Sequence, residues 1–170
     1  MKSLKFTSLL LVLFVFTSCT TVRVVSDYDR QANFNEYKSF AFYKPGIDKA
    51  EISDLDKKRI LRAINSELAA KGMNKSESPD LLVSIFTKER ERINVYNNNF
   101  GWGWGWNRQP AVSTSTEGVL FVDLIDANKK ELVWQGSGTG YLTNRSVEKK
   151  EERIKEFVSQ IMEKYPPEMK

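Results

Sequence analysis

Of the side chains in this 170-residue chain that could carry chemistry, the best placed is Cys19, its single cysteine. It follows Lys2, Lys5, an apolar run from Phe6 to Phe16 and the small pair Thr17-Ser18. A basic start, an apolar stretch of about a dozen residues and small residues at the cut mark a secretory leader. The run is shorter than the roughly 20 apolar residues that cross a bilayer. A cysteine directly after such a cut is the acceptor of bacterial lipoprotein acylation, although Phe16 stands where the usual lipobox has Leu. The sequence therefore predicts a signal peptide over 1–18 and palmitate-type acyl chains on Cys19. Two or more such chains, at about 0.8 kcal/mol per buried methylene, give lasting anchorage. Thr20 follows the cysteine where Asp would signal inner-membrane retention, so the expected address is the outer membrane, facing the periplasm.

The remaining candidates for chemistry are weaker. Asp123 with Asp126, and Asp27 with Asp29, are carboxylate pairs of the kind that hydrolyse glycosidic bonds. Aspartates at strand ends and turns are also common for local hydrogen bonding, and that reading is preferred here. Ser146-Val147-Glu148-Lys149 has the spacing of a Ser-x-x-Lys nucleophile, but it also matches a serine N-cap opening the last helix, and that reading is preferred. Gly136-Ser137-Gly138-Thr139-Gly140 resembles a phosphate cradle in composition only. No Lys-Ser/Thr follows at the required spacing and no helix opens directly behind it, so it reads as strand. The chain has no histidine, which removes the commonest general base and zinc ligand. With Cys19 acylated no thiol remains. No catalytic residue, cofactor site or metal site is expected, and the protein is not expected to be an enzyme.

One segment is unusual. Phe100, Trp102, Trp104 and Trp106 alternate with glycines after three asparagines. In extended form the aromatics share one side. Three exposed indoles exceed the apolar patch a monomer normally tolerates. They could sit in lipid headgroups, stack on sugars of peptidoglycan or another glycan, or pack on the protein itself; a loop with no ligand is the plain alternative. These four residues are the candidate membrane or glycan contact. Residues 1–18 hold two lysines and no acid, so the mature formal charge falls from +4 to +2. That balance gives no reason to expect nucleic acid as a partner. The expected partners are the membrane, through the N-terminal lipid, and peptidoglycan or an envelope protein. The oligomeric state is open.

These residues must be positioned by a modest set of elements. Val22 to Val25 and Tyr37 to Tyr43 read as strands, with turn signals at Tyr28-Asp29 and Asn33 to Asn35. Ser53 caps a helix whose apolar positions are Leu55, Ile60, Leu61, Ile64 and Leu68, and Gly72 stops it. Leu81 to Lys88 is an interior strand that runs on toward Tyr96, and Ser113 to Ile125 is another. After the turn at Asp126 to Lys129, Glu131 to Gln135 returns as a hairpin partner with Leu132 and Trp134 on one face. Ile154, Phe157, Val158, Ile161, Met162 and Tyr165 form the stripe of a last helix. The order ββαβββα predicts one α+β domain over 19–170, an antiparallel or mixed sheet of about five strands with two helices on one face. Residues 94–112 form its Gly/Trp/Asn-rich loop.

Several landmarks in this order resemble a family of Gram-negative envelope lipoproteins, the domain of unknown function numbered 4136. They are Cys19, Tyr28-Asp29, Tyr37 to Phe42, Glu67 to Met73, Pro79 to Val83, Leu120 to Asp126 and Leu132 to Gly136. The resemblance implies an α+β domain on a lipid tether and no reaction. The resulting expectation is a membrane-anchored envelope lipoprotein with a structural or binding role, the alternative being a glycan-binding accessory that uses the tryptophan loop.

Overall fold

The computed structural model describes residues 22–96, 111–140 and 146–168. Cys19 lies outside the described residues, as do Phe100, Trp102, Trp104 and Trp106. The described elements are β1 (Arg23–Tyr28), β2 (Ser39–Phe42), α1 (Lys44–Ile47), α2 (Asp54–Ala70), β3 (Asn74–Lys75), β4 (Leu81–Tyr96), β5 (Ala111–Asp126), β6 (Leu132–Gly140) and α3 (Val147–Met162). The six strands form one mixed sheet in the order β1-β6-β5-β4-β2-β3. Only β2 runs parallel to its neighbours, β3 and β4. Helices α2 and α3 cover one face, as the sequence order requires. The differences are the two-residue β3 and four-residue α1, both too short for periodicity to disclose. β1 also runs on to Tyr28, where turn signals had been read. The ends of the segment expected as loop (94–112) are strand, since β4 reaches Tyr96 and β5 begins at Ala111.

Alternation in the strands decides the layers. Leu81, Val83 and Ile85 of β4 and Leu120, Val122 and Leu124 of β5 are buried toward the helices. They meet Ile60, Ile64 and Leu68 of α2 and Ile154, Phe157, Val158, Ile161 and Met162 of α3 in one core. Ser53 caps α2 as expected, its hydroxyl accepting from the Asp56 amide at 3.2 Å. Gly72 ends the helix at φ 83°, a value that suits glycine, with Met73 N–H donating back to the Leu68 carbonyl. Leu55 is not on the buried stripe but 62% exposed. Five residues before Ile60, it stands about 140° around the helix from it, which aims it at solvent.

The glycines of β6 set the distance between α3 and the sheet. A Cβ on Gly136 would fall 2.6 Å from Ile161 and 2.3 Å from the Trp134 ring, and one on Gly138 would fall 2.7 Å from Phe157. The bare strand is thus a floor on which the aromatic and branched residues of α3 lie directly. Leu132 and Trp134 do not share a face. The pairing shifts between Leu124↔Trp134 and Ile125↔Leu132, so Val133 is an extra residue. Trp134 is fully buried while Leu132 is 49% exposed. The indole rests edge-on to Tyr165, ring centroids 5.5 Å apart, and its N–H has no hydrogen-bond partner. Gly138→Ala is expected to lower stability by about 1–3 kcal/mol, the usual cost of overpacking. Ser137→Ala, one residue along and facing away, should stay within about 0.5 kcal/mol. Urea unfolding of the two variants checks this; equal midpoints would contradict the close-approach account.

Candidate functional site

One row of cross-strand partners locates the end of the molecule where the candidate residues gather. Arg23 of β1 lies opposite Thr139 of β6, Thr139 opposite Val119 of β5, and Val119 opposite Lys88 of β4. The chain therefore enters the sheet in this row, three residues after Cys19 at Val22 and then along β1. Beyond the row, β4 and β5 continue as a pair from Arg90↔Glu117 to Tyr96↔Ala111. No other strand among the described residues pairs with them there. At about 3.3 Å per residue this two-stranded arm reaches roughly 20 Å past the body. The sequence between its strands is the one that contains Phe100, Trp102, Trp104 and Trp106. Both helices also start at this end. Asp56 in the first turn of α2 accepts from Lys150 Nζ in the first turn of α3 at 2.6 Å, and from Arg59 at 2.8 Å.

At the root of the arm the layers part. A cleft of about 230 Å³ opens between the sheet and the second and third turns of the helices. Ile60 of α2, Ile154 and Phe157 of α3, Leu120 and Gly118 of β5 and the half-buried Ile52 bound it. Thr87 and the exposed Glu51 supply the polar groups at its edge. Lys88 also borders the cleft, but its ammonium lies on the opposite face of the sheet. There it stands 5.8 Å from the Phe86 ring centroid and 5.6 Å from that of Phe121. Those two phenylalanines are directly opposed in register and stack at 4.3 Å with their planes 4° apart. Their partnership depends on the register, which residue types alone do not give.

The carboxylates are distributed for folding rather than convergence. Asp123 and Asp126 project from opposite faces of β5, so they do not form a pair. Asp126 is buried at the turn, where its carboxylate accepts from the amides of Asn128 and Lys129 at 2.9 and 2.8 Å and from the Tyr37 hydroxyl at 3.0 Å. Burial acts to raise its pKa, but these bonds outweigh it and hold the carboxyl below its ordinary value. Asp29 accepts from the Gln31 amide at 2.9 Å in a local turn. Asp27 is exposed and lies in one row with Gln135 and Asp123. Asp80, which sequence reasoning passed over, fastens β2 to the sheet: one oxygen accepts from the amides of Lys38 and Ser39 and from the Ser39 hydroxyl at 2.9, 2.8 and 2.8 Å. Ser146 occupies the N-cap position of α3 without a side-chain cap bond. Among the described residues no three His, Cys, Asp or Glu side chains are grouped to hold a metal ion, and no helix is long and apolar enough to cross a membrane.

Asp123 behaves differently. It is half-buried on the uncovered face, and desolvation pushes its pKa up despite a 2.7 Å hydrogen bond from Gln135 Nε2.

A family model described as Domain of unknown function (DUF4136) matches residues 24–167. A search of the curated proteins gives no match. Among solved structures, a PDZ domain protein from Parabacteroides distasonis ATCC 8503 is 17% identical with a TM-score of 0.57, over 86% of this chain and 36% of that one. This chain thus spans little more than a third of that protein's length. The PelC dodecamer from Paraburkholderia phytofirmans is 13% identical with a TM-score of 0.50, over 84% of this chain and 96% of that one. At these identities the likeness is one of fold.

The Asp123 result gives a signed prediction. A folded pKa above the unfolded one means the fold prefers the protonated acid, so ionised Asp123 costs stability at neutral pH and the cost fades as pH falls. Asp123→Asn should therefore unfold at higher urea than the parent at pH 7, with the gap closing toward pH 3. Asp56 and Asp126 run the other way. Burial would also raise Asp56, but hydrogen bonds from Lys150, Ser53 and Arg59 win and lower it. The stability these two contribute is present at neutral pH and lost in acid. An Asp123→Asn variant that is less stable than the parent at pH 7 would contradict the assignment.

Proposed function

The chain belongs to the DUF4136 family, and from that premise we propose that it is a lipid-anchored envelope protein without catalysis, which meets its membrane twice. The first contact is the acyl group on Cys19. The second is the tip of the β4–β5 arm, through Phe100, Trp102, Trp104 and Trp106. The observation that carries this reading is the shared row: the chain enters the sheet at Arg23, level with the root of the arm at Lys88 and Val119. An anchor three residues before Val22 and an arm leaving the same end are directed at one surface. Indoles partition well into the headgroup zone, which suits the arm's tip sequence. A body held by both contacts keeps a fixed attitude to the membrane, a structural or scaffolding role.

The absence of histidine and the local hydrogen-bonding duties of Asp29, Asp80 and Asp126 support a role without catalysis. The leader and Thr20 support delivery to the outer membrane with the body in the periplasm.

Vesicle sedimentation tests the two contacts separately. Chain 19–170 with Cys19→Ser should lose durable anchorage yet retain weak, salt-insensitive association with phospholipid vesicles. Adding Trp102→Ser, Trp104→Ser and Trp106→Ser should reduce that residue of binding at least tenfold. Undiminished association would reject the arm contact. Association transferred to purified peptidoglycan, and lost with the same three substitutions, would instead favour the glycan reading. Failure of labelled palmitate to enter the chain at Cys19 in a bacterial host would reject the anchor.

A further inference from the structure

We propose that the cleft at the root of the arm is a binding site for one acyl chain of the protein's own Cys19 anchor. The proposal deepens the envelope reading and rests on it for the presence of that acyl chain. Four observations carry it. The first is chemistry: Ile52, Ile60, Leu120, Ile154 and Phe157 turn hydrocarbon toward the cleft, and Gly118 leaves its floor without a side chain. The second is size. At about 230 Å³ it exceeds the roughly 150 Å³ apolar cavity that stays dry and takes up benzene in another protein, so part of a linear chain fits.

The third is charge. Among the described lining residues the one cation, Lys88, is turned to the Phe86 and Phe121 rings on the far face, Arg153 over the Phe157 ring is paired with Glu156, and the charged group left at the edge is the Glu51 carboxylate. Such an edge opposes a fatty acid or an anionic phospholipid, whose headgroup would meet a like charge in a low-dielectric setting. It accepts a hydrocarbon chain held in a neutral amide or ester, the linkages through which an N-terminal cysteine carries its lipid. The fourth is reach. Val22, the residue before β1, packs against the core at this end, and β1 and β5 are two strand spacings or about 10 Å apart. The three residues from Cys19 to Val22 span up to about 10 Å. The acyl chain's own length carries it past the start of α3. Seated there, the chain ties the lipid to both helices and the sheet, shields hydrocarbon whenever the protein is away from a bilayer, and fixes the arm's root against the anchor.

Uptake of methyl parinarate, a neutral fluorescent fatty ester, tests this without any vesicle. Chain 19–170 with Cys19→Ser should bind the probe saturably, because its cleft is empty of anchor. Lipidated parent protein in the same buffer should take up at least tenfold less. Thr87→Trp and, independently, Ile52→Trp fill the cleft from two sides and should each abolish uptake by the Cys19→Ser chain while circular dichroism stays unchanged. The Trp102→Ser, Trp104→Ser, Trp106→Ser chain should bind the probe like its parent, which separates this test from that of the arm contact. Absence of uptake by the Cys19→Ser chain overturns the proposal. So does equal uptake by lipidated protein, which would mark a site for separate lipids, and so does uptake indifferent to both cleft-filling changes.

Discussion

Everything at the candidate end of the molecule depends on one ladder. β4 and β5 pair without interruption from Leu81↔Asp126 to Tyr96↔Ala111. The inner half of that ladder is the centre of the sheet, flanked by β6 and β2 and buried under two helices. The outer half has no flanking strand among the described residues. Because the same hydrogen-bonded pair builds both, the arm cannot point independently of the core. An isolated two-stranded ribbon is marginal in water. Here its root is clamped by Leu120, Val122, Leu124 and Ile85 inside a packed body. The direction of the arm, the point of chain entry and the mouth of the cleft are consequences of that continuity.

Packing on the helix side is governed by what β6 lacks. Alternate glycines let α3 approach until Phe157 and Ile161 touch backbone, and Trp134 closes the far end against Tyr165. Phe157 keeps that close approach as far as Gly140, where an added Cβ would fall 2.8 Å from its ring, and the apolar cleft opens beside it, over Gly118 of β5. The first turns of the two helices are joined by Asp56 and Lys150. Several carboxylates serve this construction. Asp126 holds a turn, Asp56 joins the helices, and Asp80 ties down the four-residue β2.

Much of this was legible in the sequence where a period was long or a signal local. The stripe from Ile154 to Met162, the Ser53 cap and the Gly72 stop needed only neighbouring residues, and each stands where it was read; Tyr165, expected on the same helix, is buried but lies past its end at Met162. The misreadings share a cause. Leu55 lay in a helical stretch but off its angular stripe, and Leu132 obeyed alternation until the extra residue Val133 broke it. Register is a relation between distant segments. The Phe86–Phe121 stack, the Arg23 to Lys88 row and the shared end of chain entry and arm therefore had no one-dimensional signature. Of the candidate contact residues, the four aromatics were found by composition alone; the cleft at the root of the β4–β5 pair is lined from five places in the chain.

The central claim is that anchor and arm tip meet the same membrane. Tryptophan quenching by phospholipids brominated along their acyl chains measures this directly on the lipidated, full-length protein in vesicles. Trp134 is enclosed in the body, so quenching reports on Trp102, Trp104 and Trp106. The account predicts strong quenching that vanishes when those three are changed to serine. Anchored protein whose fluorescence is untouched by the brominated lipids would contradict it.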